Sequence, residues 1–122
     1  MRIYSRPHEW GRSDCVTAAA DAFRLRHGID PLAGARGDWA SRFGASRLVR
    51  EAGGFLEMCR KQCAAAGLRG GRGERGEIGV VSVAGHFGMA AAFCDVPGWW
   101  LVLTENGFQS IAQGRLLESW RA

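Results

Sequence analysis

A chain of 122 residues, 47% hydrophobic and 23% charged, is long enough to bury one ordinary core and needs no disulfide or metal staple. No apolar run reaches the length that spans a bilayer, so no membrane span is expected. The net charge of +4 rests on arginine, with Lys61 the only lysine, and its even scatter forms no basic stripe, so nucleic acid is not the expected partner.

Residues 1–13 read as an irregular lead-in punctuated by Pro7 and Gly11. Residues 1–7 carry no apolar signal core, so export by the usual secretory route is not expected and the thiols are expected to be reduced. Asp14, or Ser13, is a suitable N-cap for a first helix in which Val16, Ala19, Ala20 and Phe23 recur on one face. Gly28 should end that helix, with Pro31 just beyond, and residues 32–37 read as a loop. Residues 38–43 and 46–52 read as two short helices broken at Gly44. Gly53-Gly54 interrupts the chain, and residues 55–66 read as a further helix. Residues 67–76 read as a flexible basic connector. Strands are expected over 78–83, 86–93, 99–104 and 108–111, with turns at 95–98 and at Asn106-Gly107. The second strand should set Phe87, Met89, Ala91 and Phe93 on one face and His86, Gly88, Ala90 and Ala92 on the other. The tail, 114–122, should dock through Leu116, Leu117 and Trp120. Helices followed by an antiparallel meander give an α+β fold, one domain over residues 1–122.

Cys15 and His86 are the candidate catalytic residues. A thiol at a helix start lies where backbone N–H groups stabilise a thiolate, and a distant histidine supplies a base for it. The third member of such a site is open: Thr104, Glu105 and Asn106 are candidates, because a hairpin turning about Val96 would bring His86 opposite Glu105 or Asn106. Cys59, Cys63 and Cys94 have no metal-ligand spacing and read as small buried hydrophobes. Neither a metal nor a cofactor is called for. Trp10 is a candidate wall for a groove beside the thiol, and Trp39 and the other tryptophans read as core.

Trp10-Gly11 followed by Asp14-Cys15, then 76–81 (GEIGVV) and His86-Phe87-Gly88-Met89, resembles the NlpC-like, papain-like cysteine peptidases across nearly the whole chain. Gly28-Ile29-Asp30-Pro31 and Ala52-Gly53-Gly54 resemble the compact branch of that superfamily found in tailed bacteriophages and prophages. The resemblance implies a papain-like fold with Cys15 as nucleophile and His86 as base. It also implies cleavage of peptidoglycan stem peptides, often after D-glutamate. The implied setting is a phage virion tail, with tail-tip or hub proteins as partners and synthesis in the bacterial cytoplasm. A non-catalytic tail-assembly component keeping the same fold is the alternative. The chain departs from the family pattern at Glu77, where the family has Asp, at Val16, where it has Ser or Gly, and at His8-Glu9, near a common Tyr. The family's third polar residue aligns near Leu103 or Thr104, and a leucine cannot orient an imidazole.

Overall fold

The computed structural model describes residues 2–85 and 87–122. Helices α1 (Cys15–His27), α2 (Arg42–Ala52) and α3 (Phe55–Ala65) precede strands β1 (Arg69–Gly70), β2 (Ile78–Ser82), β3 (Met89–Val96), β4 (Trp99–Thr104), β5 (Gly107–Ala112) and β6 (Leu116–Arg121). The strands form one antiparallel six-stranded sheet in the order β1-β6-β2-β3-β4-β5. The fold is α+β, as the sequence reading expects.

Strand alternation splits the interior into two cores. Ile78, Val80, Ala91, Phe93 and Leu103 face the helices, where they meet Ala18, Ala19, Ala22 and Phe23 of α1 and Phe55, Cys59 and Cys63 of α3. Val81, Ala90, Ala92, Cys94, Trp100 and Val102 form the second core. Trp100 is fully buried there and its indole donates to Gln113 Oε1 at 2.6 Å. A Cβ on Gly79 would stand 2.8 Å from the Trp100 ring, so this packing requires glycine.

The first helix begins and ends at its expected caps. Asp14 caps the N-terminus and Gly28, left-handed at φ 71°, closes the C-terminus with its N–H on the Arg24 carbonyl. Other expectations need correction. Gly44 does not break a helix: Ser41 caps α2 by accepting the Gly44 N–H at 3.0 Å, so the glycine lies in a first turn and 38–40 stay outside. The second strand starts at Met89 rather than at position 86, and Gly88 before it donates to the Gly85 carbonyl. The tail docks through Trp120 and Leu116 as expected, whereas Leu117 is exposed, and the segment is more than a docked end. It is β6, hydrogen-bonded between β1 and β2. The irregularity opposite Val80 and Val81 breaks its alternation, which hid the strand in the sequence.

The basic connector is also anchored. Glu77, 3% exposed, accepts the N–H groups of Arg72 (3.0 Å) and Gly73 (2.9 Å) and the Ser119 hydroxyl (2.6 Å). It thereby ties 72–73 to β2 and β6. Burial alone would raise its pKa. Hydrogen bonds from Ser119 and from the backbone of Arg72, Gly73 and Glu74 outweigh burial and hold the carboxyl below its ordinary 4.5. A depressed folded pKa gives stabilisation that is complete above about pH 4.5 and lost as pH falls through the folded value. Glu77→Gln should therefore cost about 2 kcal/mol at pH 7. The gap to wild type should narrow in acid, read from urea midpoints across pH 3–7; a gap constant with pH would refute the ionised latch.

Candidate functional site

The site grows from the start of α1. Both oxygens of Asp14 are occupied, and the residue is 2% exposed. Oδ1 accepts the Thr17 N–H at 2.9 Å, while Thr17 Oγ1 accepts the Asp14 N–H at 2.8 Å, closing a capping box. Oδ2 accepts the Gly11 N–H at 2.9 Å and the Trp39 indole N–H at 2.7 Å. A Cβ on Gly11, whose φ is 83°, would overlap the Trp39 carbonyl oxygen. Gly11, Asp14 and Trp39 are thus one assembly that fixes the helix start. Asp14 is legible in the sequence as a cap, whereas Trp39 reads there only as a core residue. The signal available was general: a buried indole N–H needs an acceptor.

Cys15 is the first residue of α1 and is half-buried. Burial, and then the Asp14 charge, push its thiol up to about 12; backbone N–H groups of Ala91, Val16 and Cys15 itself pull the other way without prevailing. This environment pushes the thiol away from the thiolate that a helix start by itself favours. Burial also raises Cys59, Cys63 and Cys94, consistent with packing roles.

His86, the expected base, lies outside the described residues. Its neighbour Phe87 lines the same small cavity as Cys15, Trp10, Trp39 and Phe55, and stacks on Phe55 at 5.4 Å. That cavity, about 30 Å³, has room for about one water.

The candidate third residues cluster at the β4–β5 turn. Thr104 Oγ1 donates to the Gly107 carbonyl at 2.8 Å and accepts the Asn106 N–H at 3.1 Å. Glu105 and Asn106 are exposed. Phe93 pairs with Leu101 and Val96 with Trp99, and the register shifts between them, so β3 and β4 do not run evenly from a turn about Val96. Leu103 is fully buried in the core.

Tyr4 was hidden inside the expected irregular lead-in. It sits on a short 3₁₀ turn (Arg2–Ser5), which the Arg6–Asp21 ion pair at 2.9 Å helps hold against α1. Its hydroxyl is buried without a hydrogen-bond partner among the described residues. Burial first, then the charges of Cys15 and Asp21, raise the phenol pKa.

A larger chamber of about 350 Å³ adjoins the thiol cavity, and Val16, Trp39, Leu48 and Met58 line both. No group of three or more His, Cys, Asp or Glu side chains among the described residues is placed to hold a metal. No described helix is long and apolar enough to cross a membrane. A family model described as a domain of unknown function, DUF6950, matches residues 1–122. No curated protein and no solved structure matches the chain.

Proposed function

The chain belongs to the DUF6950 family, and within it we propose a papain-like cysteine hydrolase in which Cys15 attacks a carbonyl and His86 takes and returns the proton. The observation that carries this reading is the convergence at one cavity. The first residue of α1 and Phe87, next in the chain to His86, line the same space, with the Val16 and Ala91 N–H groups beside the sulfur. Those N–H groups would also serve a developing oxyanion. Burial and the Asp14 charge raise the thiol, so general-base transfer of its proton during attack fits this environment better than a resting ion pair.

Peptidoglycan stem peptides are the proposed substrate, and a phage or prophage tail the proposed setting, both on the resemblance of the Trp-Gly, Asp-Cys and His-Phe-Gly-Met segments. Digestion of purified peptidoglycan tests this. Wild type should release new amino termini, and Cys15→Ala should lose at least about a thousandfold in rate. The confined cavity and the raised thiol pKa favour a second reading, a tail-assembly module that keeps the fold without catalysis. No release by either protein supports that module.

A further inference from the structure

We propose that the chamber beside the thiol cavity binds an uncharged apolar acyl group, the part of the substrate that becomes attached to Cys15. The inference rests on Cys15 being a nucleophile and not on the peptidoglycan assignment, and it stands against cleavage after D-glutamate, whose acyl part keeps a carboxylate.

The volume of about 350 Å³ falls within the range of small-molecule pockets. Its floor is apolar: Val16 and Ala20 of α1, Cys59 and Cys63 of α3, Ala91 and Trp120 of the sheet. The floor thiols are held neutral by burial, with Cys63 pushed up to about 12, so they add no charge. Charge enters at the exposed rim, through Asp38, Glu51 and Lys61. The Lys61 ammonium is bonded to the Ala52 carbonyl at 3.0 Å, and the two carboxylates outnumber it. A carboxylate-bearing substituent would be repelled at this rim and left unpaired on this floor, whereas an alkyl or aryl group would fit both.

Position ties the chamber to the chemistry. Val16 follows Cys15 in α1, and Ala91 offers its N–H to the Cys15 sulfur; both side chains line the chamber. Met58, in the wall shared with the thiol cavity, is unbranched and able to shift. In the step, a bond forms from sulfur to the carbonyl carbon while the bond to the leaving oxygen or nitrogen breaks. The thiol proton passes to the leaving group. Water then cleaves the thioester, releasing the acid and restoring the thiol.

Two measurements test this. The first is binding of N-phenyl-1-naphthylamine, an uncharged fluorescent probe, to wild type and to Cys15→Ala. Both should bind it saturably, and Ala52→Trp and Ala35→Trp, which fill the chamber from its partly exposed edge, should each bind at least about tenfold more weakly. The second is nitrophenol release from p-nitrophenyl esters. The Cys15-dependent rate should rise at least about tenfold from acetate to octanoate in wild type and stay flat in the filled variants. Absence of saturable probe binding, or binding unaffected by both filling substitutions, overturns the chamber. Cys15-dependent turnover that is flat with chain length overturns the acyl-site inference while leaving the nucleophile in place. No Cys15-dependent turnover at any length overturns the nucleophile and the inference with it.

Discussion

Asp14→Ala should lower the unfolding free energy by about 3–5 kcal/mol, a third or more of what a domain of this size commonly has. The loss has two sources. The N-cap and its capping box disappear, which alone costs about 0.5–2 kcal/mol. The N–H groups of Gly11 and Trp39 are also left facing a space with no acceptor, at roughly 1–3 kcal/mol for each buried donor. These terms share one side chain and will not add fully. Asp14→Asn should fall between. Its remaining oxygen keeps the Thr17 N–H, but its amide nitrogen meets two donors where Oδ2 now accepts both. Urea denaturation of the three proteins at pH 7 measures the series. A cost below about 1 kcal/mol for Asp14→Ala would mean that the assembly does not hold the helix start. The Asp14 charge also helps to raise the Cys15 thiol, so without it the variant should alkylate faster at Cys15 even as it loses stability.

The parts of this fold that were readable from sequence are those whose cause is local. The Asp14 cap, the Gly28 terminus and the alternation of Met89, Ala91 and Phe93 against Ala90 and Ala92 each follow from residues within a few positions. What was not readable depends on partners far along the chain. β6 became a strand because β2 and the two residues of β1 receive it, and its own alternation is interrupted. Glu77 looked like an acidic departure from a family motif, yet its partners are 72–73 on one side and Ser119 on the other. The site divides in the same way. A cysteine at a helix start was legible, but its protonation was not: the helix terminus favours a thiolate, and burial with the Asp14 charge exceeds that preference. Burial of a particular sulfur depends on what α3 and the sheet bring to it, which no local pattern states.

His86→Ala should leave Cys15 less reactive toward iodoacetamide than a free cysteine by on the order of a thousandfold at pH 7. The size follows from the environment already in place. A thiol held up at about 12 yields far less thiolate at neutral pH than an ordinary cysteine, and each unit of pKa is a factor of ten. In the variant the rate should climb about tenfold per pH unit and level only toward the thiol's own value. Wild type should behave differently if the imidazole takes the proton: its rate should be higher near neutrality and rise less steeply with pH than that of the variant. Peptide mapping separates Cys15 from Cys59, Cys63 and Cys94, whose burial keeps them slow. The two variants separate the roles: Asp14→Ala tests what builds the helix start through its bonds to Gly11 and Trp39, and His86→Ala tests what activates the sulfur. Superimposable rate–pH curves for wild type and His86→Ala would remove His86 as the base, and the assembly-module reading would then be the stronger of the two.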